Sequence, residues 1–261
     1  MKLKGAEIVW ECLTREGVEV VFGYPGGANM PIYDAMLNYP VHHVLVRHEQ
    51  GAAHMADGYA RASGKVGVAM ATSGPGATNL VTGICTAMMD SVPTVFITGQ
   101  VAAHLIGGDA FQETDVTGIT LPITKHNYLV TRADQIAETI REAFYIARSG
   151  RPGPVLIDVC KNAQIESCEF VFPEDVKLPG YQPVLRSPKN LVDQAVELIE
   201  RAKKPIILCG HGVLMSKAEE ELMQFAVKTQ TPVASTLLGL GAFPASNELS
   251  LGMMGMHGEA H

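Results

Sequence analysis

"KVGVAMATSGPGATNLVTGICTAMMDSVPTVFITG", Lys65–Gly99, holds two short apolar runs, Val66–Ala71 and Thr94–Thr98, separated by a glycine turn and a longer apolar-polar pattern over Ala77–Met89. Runs this short and this rich in Val and Ile, bounded by Gly and Pro and alternating with helical patterns, predict a parallel sheet covered by helices on both faces. The same alternation extends outward in both directions. Strands are expected at Val18–Phe22, His43–Val46 and Val155–Val159, and helices at Gly5–Glu16, Pro31–Leu37, Gln50–Ser63 and Ala133–Arg148. Together they make one complete α/β domain over residues 1–165.

From 166 to 188 the chain reads "ESCEFVFPEDVKLPGYQPVLRSP", proline-rich and without a helical period, which predicts an extended linker. A second α/β pattern occupies 189–261, with helices at Leu191–Ala202 and Lys217–Thr229 and strands at Pro205–Cys209 and Pro232–Ser235. Two units bury little apolar surface, so this second domain reads as incomplete: either the chain is a fragment or a partner completes it.

With 27 acidic against 20 basic residues the net charge is −7, and no basic patch offsets it, so nucleic acid is not an expected partner. The five cysteines, Cys12, Cys85, Cys160, Cys168 and Cys209, form no CxxC pair, which fits free thiols in a reducing, cytoplasmic compartment. The opening "MKLKGAEIVWECLTREG" is amphipathic and carries acids, unlike a signal or transit peptide, and no run reaches the length of a membrane span.

Four loops fall at one edge of the predicted sheet: "GYPGGAN", "RHEQG", "TSGPGATN" and "TGQVAAHLIGGDAFQETD". Ligands of open α/β sheets gather at the carboxyl ends of the strands. "GYPGGAN" reads either as a tight turn or as a loop presenting bare backbone N–H groups to a developing negative charge. Zinc is not expected at "HEQGAAH", because His48 and His54 are six apart and diverge by roughly 120° on a helix. A P-loop is excluded at "GYARASGK", where the glycine spacing is one residue too long and Val66 replaces the required hydroxyl. Nor does "SGPGATN" make a dinucleotide fingerprint, since Asn79 stands where the third glycine belongs. Glu49, at a strand end and a helix start, has two readings: an acid favoured by the helix dipole, or a partly desolvated carboxylate able to share a proton with a bound nitrogen base.

Taken together, "VFGYPGGANMPIYDA", "RHEQGAAHMADGYARASGKVGVAMATSGPGATNLVTGI", "FITGQV", "GGDAFQETD", "TKHNYLV" and "SGRPGPVLIDVCKN" resemble the thiamine diphosphate enzymes of the acetolactate synthase (acetohydroxyacid synthase) large-subunit family. The resemblance runs from about Lys4 to the last residue and implies a pyrimidine-binding domain followed by part of an FAD-binding, Rossmann-like central domain. It implies a transferase that decarboxylates pyruvate and joins the remaining two-carbon unit to a second 2-keto acid, such as 2-ketobutyrate, in the biosynthesis of valine, isoleucine and leucine. Under it, Glu49 bonds the aminopyrimidine of the cofactor. Tyr24, Pro25, Gly26 and Gly27 face its reactive centre, and Pro75 and Asn79 line the pyrimidine pocket. Phe111 and Gln112 fall on the active-site loop and Lys161 on a substrate channel. Arg151 matches an FAD-binding arginine, and Gly210, Gly212 and His257 match flavin-contacting turns. The family assembles at least as a homodimer, and a regulatory small subunit accompanies some members.

Two small departures are Cys160, where proline commonly precedes the lysine, and Gly108, where threonine is usual. A larger one is the diphosphate and Mg²⁺ motif, "GDG" followed by asparagines: nothing in the chain matches it, and Gly108-Asp109 leads into Ala110. The expectation is therefore an amino-terminal portion, inactive alone and without metal ligands of its own. Flavin-free or oxidase relatives and a non-catalytic split subunit are the alternatives.

Overall fold

A computed structural model of the protein describes residues 1–184 and 186–258; Leu185, in the expected linker, and 259–261, at the end of the expected central domain, lie outside the described residues. Two compact units are present, Met1–Leu185 and Arg186–His261.

In chain order the first unit comprises β1 (Lys2–Lys4), α1 (Gly5–Arg15), β2 (Val20–Gly23), α2 (Met30–Ala35), β3 (His42–Leu45), α3 (Glu49–Ser63), β4 (Gly67–Ala71), α4 (Pro75–Thr78), α5 (Val81–Asp90) and β5 (Thr94–Gln100). It continues through α6 (Val116–Thr120), β6 (His126–Val130), α7 (Ile136–Arg148), β7 (Pro154–Cys160), α8 (Lys161–Ile165) and β8 (Ser167–Glu169). Six strands form one sheet in the order β3-β2-β4-β5-β7-β6, and every neighbouring pair is parallel. All residues of β4, β5 and β7 are buried, as a sheet covered on both faces requires.

The pleat sorts side chains between two cores. Val68, Met70, Val95, Ile97, Val155, Ile157 and Val159 join Trp10, Leu13, Ile140 and Phe144 of α1 and α7 on one face. Ala69, Ala71, Phe96 and Leu156 meet Ala52, Ala53, Ala56, Leu80 and Ile84 of α3 and α5 on the other. The alanines of α3 let that helix lie close to the sheet, and Gly64, in the left-handed region at φ 70°, ends it. The helix expected over Ala77–Met89 is broken into α4 and α5 around Asn79, while β6, which the sequence reading did not anticipate, forms a half-exposed edge strand.

The unit extends past residue 165. β8 pairs antiparallel with β1, Lys2 opposite Glu169, and Phe170 N donates to Met1 O at 2.8 Å. The Arg15 guanidinium lies 5.0 Å from the Phe170 ring and 5.5 Å from that of Phe172. Tyr181 OH receives a hydrogen bond from Lys125 Nζ at 2.9 Å and donates one to Ser149 O at 2.9 Å. The stretch expected as an extended linker carries aromatic side chains, Phe170, Phe172 and Tyr181, that pack on the α1–α7 core, and that burial is why it folds back.

The second unit holds α9 (Lys189–Arg201), β9 (Ile207–Cys209), α10 (His211–Ser216), α11 (Glu219–Thr229), β10 (Val233–Ser235) and β11 (Ser250–Met253). Its parallel sheet runs β11-β10-β9 around a small core of Cys209, Ala226, Val233, Ala242 and Phe243.

A carboxylate at the switch point of the sheet

β2 pairs with β3 on one side and β4 on the other, so the chain reverses its direction of travel across the sheet between β2 and β4. Loops leaving such a pair diverge and open a crevice at their carboxyl ends. The register places Gly23 opposite Leu45 and Met70, which brings "YPGGAN", "VRHE" and "TSGPG" to one level.

Glu49 is the first residue of α3, and His48 caps the helix by accepting from Gln50 N at 3.1 Å. Its carboxylate is half-buried. Oε2 accepts from Asn79 Nδ2 at 2.9 Å, where the α4–α5 break turns that amide toward the sheet. Oε1 faces Gly76, and a Cβ there would touch it at 3.4 Å and collide with the Thr72 methyl at 2.8 Å, so a side chain at 76 would displace the wall beside the acid. The Tyr33 hydroxyl is buried and has no hydrogen-bond partner among the described residues. Burial first, and then the Glu49 charge, hold its phenol above the ordinary tyrosine range.

The "YPGGAN" loop is more occupied with itself than its glycines suggest. Tyr24 N donates to Met70 O at 3.2 Å, Gly26 N to Asn29 Oδ1 at 2.8 Å, and Ala28 N to Thr72 Oγ1 at 3.1 Å. The reading of several bare N–H groups narrows accordingly: over 24–29, with Pro25 lacking a donor, Gly27 carries the amide left without a partner among the described residues. Thr72, an anchor the sequence reading missed, is buried at the end of β4. Gln164 is another, its Nε2 donating to Ala28 O at 2.8 Å and Val159 O at 2.9 Å.

Gln112 is brought to the same crevice. Both it and Gly74 have positive φ, 57° and 60°, and a Cβ on Gly74 would fall 2.7 Å from the Gln112 carbonyl oxygen. Glycine is required there twice over, by backbone and by space. The loop bearing Gln112 is pinned by Glu113, which accepts from Gly107 N and, at 2.8 Å, from Ala110 N; these bonds hold its carboxyl below the usual range. Phe111 beside it is 87% exposed, and Tyr24, Pro25, Gly27 and Pro75 are also exposed.

Lys161 opens α8 at the carboxyl end of β7, on the same edge but two strands from β4. Arg151 does not join them: it precedes β7 at the opposite edge, where Nε donates to Ser91 Oγ at 2.6 Å and Nη2 to Met89 O at 3.3 Å. Gly210 caps α10 after β9, Gly212 lies in its first turn, and His257 is exposed in the turn after β11; all three belong to the second unit. Among the described residues no group of three His, Cys, Asp or Glu could hold a metal ion, and no helix is long and apolar enough to cross a membrane.

Comparison with known proteins places these features in a lineage. The N-terminal binding domain of thiamine pyrophosphate enzymes matches residues 3–119, and the central domain of the same enzymes matches 192–261. An acetolactate synthase large subunit from Corynebacterium glutamicum is 52% identical over 258 residues, covering 98% of this chain and 41% of that protein. One from Haemophilus influenzae is 51% identical over 260 residues, with coverages of 98% and 45%. A probable acetolactate synthase large subunit from Methanocaldococcus jannaschii is 51% identical over 259 residues, with coverages of 98% and 44%. The chain thus spans less than half the length of these curated relatives.

Proposed function

The chain belongs to the thiamine pyrophosphate enzymes, and from that premise we propose that the protein at its relatives' length is an acetolactate synthase, a carboligase of branched-chain amino acid biosynthesis taking pyruvate and a second 2-keto acid such as 2-ketobutyrate. What carries the reading is Glu49: a carboxylate fixed at one oxygen by Asn79 and left open at the other, at the switch point of the sheet.

The residues present fit the aminopyrimidine half of thiamine diphosphate. An acid whose open oxygen faces Gly76 can meet a flat ring carrying a basic nitrogen, with no side chain at 76 in the way. When bound, this cofactor supplies an acidic ring carbon that, once deprotonated, adds to a keto carbon and takes up the electrons left by departing carbon dioxide. Glu49 would hold a proton between Oε1 and the ring nitrogen, and so set which of the ring's nitrogens acts as the base. Asn79 fixes the rotation of that carboxylate, and the "TSGPG" turn would line the space beside it. Gly27, through its unpartnered N–H, would face the charge that develops on the substrate oxygen. Gln112 and Phe111 would border the substrate from the loop above Gly74, with Lys161 further along the same edge.

Mg²⁺ does not fit the described residues. In this reading the metal and the diphosphate belong to the part of the relatives' length that residues 1–261 do not span, and residues 1–261 alone are inactive. FAD is proposed as a second cofactor, with Gly210, Gly212 and His257 of the second unit as candidate contacts; Arg151, a candidate through the resemblance alone, bonds Ser91 and Met89 within the first unit. At least a homodimer is expected, with a regulatory small subunit as a further candidate partner. The test is product analysis: the protein at its relatives' length, supplied with thiamine diphosphate, Mg²⁺ and FAD, converts pyruvate to acetolactate and carbon dioxide. Acetyl phosphate formed with oxygen consumption would point to an oxidase relative, and no consumption of pyruvate would overturn the proposal.

A further inference from the structure

Asp158 is an acid in the middle of an apolar strand, 1% exposed, and no role proposed above uses it. It projects from β7 on the same face as Thr98 and Gln100 of β5, paired across the register with Thr98 opposite Asp158. Thr98 Oγ1 donates to Asp158 Oδ1 at 2.7 Å, and Gln100 Nε2 donates to Oδ2 at 2.8 Å. The second proton of the Gln100 amide goes to Thr114 O at 2.9 Å, and its Oε1 accepts from Val101 N at 2.9 Å. Every polar atom of that buried side chain is therefore used, and a flipped amide would set its oxygen against a carboxylate and a carbonyl.

Thr114 closes the loop that carries Phe111 and Gln112. Beside it, Glu113 ties down the amides of Gly107 and Ala110. Beneath the loop is a cavity of about 280 Å³, whose walls include Gln100, Ile106, Leu129 and Asp158. The Gln100–Thr114 bond crosses this space as a direct tie from the sheet to the loop.

We propose that Gln100, its amide oriented by Asp158, is a positioning residue that holds the 106–115 loop so that Gln112 stands against Gly74. The proposal rests on the reading of Gln112 as part of the active site. It assigns Gln100 no contact with substrate; its effect passes through Thr114 to the loop backbone, and misplacing a positioned group by about 1 Å can lower turnover on the order of 100-fold.

The test uses the protein at its relatives' length. Hydrogen exchange is followed at the loop amides of Gly107 and Ala110, together with kcat and KM for pyruvate. Gln100→Met removes both donors at nearly constant shape, and Gln100→Glu replaces them with acceptors. Each is expected to speed exchange at these amides about 10-fold or more and to lower kcat on the order of 10- to 100-fold with KM changed far less. Asp158→Asn keeps an acceptor for Gln100 and is expected to leave exchange in the loop and kcat close to the parent values, which a general loss of strand packing would not allow. Loss of protection across β4 and β5 identifies a variant that has not folded, and the other Gln100 variant then decides. Unchanged loop exchange in a folded Gln100 variant overturns the proposal, as does faster exchange with kcat unchanged. Faster exchange in a protein whose parent form turns over no pyruvate, or in which Gln112→Ala is fully active, overturns the functional reading beneath it instead.

Discussion

Glu49 shows how a residue gains a task through its neighbours. By itself it is a first-turn acid stabilised by the helix dipole by roughly 0.3–1 kcal/mol, a role that any acid at that position could fill. Asn79, thirty residues on, occupies one of its oxygens and leaves the other for a ligand. The sequence reading singled out Glu49 from its place between a strand end and a helix start, and took its cofactor role and the pocket role of Asn79 from the resemblance, whereas the bond between them depends on a break between α4 and α5 that the apolar spacing of Ala77–Met89 does not reveal. Asn79→Ala is expected to cost about 1 kcal/mol in stability, measured by urea unfolding, and to lower turnover through loss of carboxylate orientation. Asp158 lies inside "VLIDVC", where the sequence reading saw only a strand and passed over the acid, and the fold shows that it faces Gln100. Its burial raises the pKa from 3.8 to about 6, against the lowering effect of the Thr98 and Gln100 bonds. The folded state thus binds the Asp158 proton more tightly than the unfolded chain. Its stabilising contribution is complete below about pH 4 and is lost as pH rises through 6, on the order of 2–3 kcal/mol. Asp158→Asn should remove that portion of the pH dependence in unfolding midpoints taken from pH 4 to 7.

The elements follow from period and composition where the signal is long. β4, β5 and β7 were readable as apolar runs, and α1, α3 and α7 as amphipathic stretches, because each is buried along a whole strand or one face of a helix. β6 was not, since "HNYLV" is an edge strand with polar residues and only Val130 fully buried. β1 and β8 escaped too: a three-residue ribbon is defined by a partner more than 160 residues away, as the Lys2–Glu169 register shows, and no local pattern encodes that distance. α3 depends on close approach to β4. A Cβ on Gly67 would sit 2.0 Å from the backbone oxygen of Ala56, so Gly67→Ala must push helix and strand apart. We expect a loss of at least about 1–3 kcal/mol, read as a lowered unfolding midpoint, together with faster hydrogen exchange in α3. An unchanged midpoint would mean that this contact is looser than described.

At the scale of the whole molecule, the two units differ in what they bury. The first closes two cores around six strands; the second has three short strands among its described residues and leaves Leu191, Val192 and Leu198 of α9 between 46% and 71% exposed. A three-stranded parallel sheet with so small a core is marginal in water. Residues 1–185 prepared alone should therefore melt cooperatively, while residues 186–261 alone should show no sharp transition in circular dichroism. The α/β alternation of the second unit was legible in α9, β9, α11 and β10, whereas β11, assembled from "SLGM" after a long irregular stretch, was not. Both units take their place in a thiamine pyrophosphate enzyme, and the proposed chemistry turns on one carboxylate. The decisive experiment is acetolactate formation by the protein at its relatives' length, with the parent and the Glu49→Gln variant compared at saturating thiamine diphosphate, Mg²⁺ and FAD. Loss of proton sharing with the pyrimidine should lower kcat by about 10²- to 10⁴-fold while the variant stays folded and retains its cofactors. A folded Glu49→Gln variant that makes acetolactate at the parent rate would contradict the role assigned to Glu49.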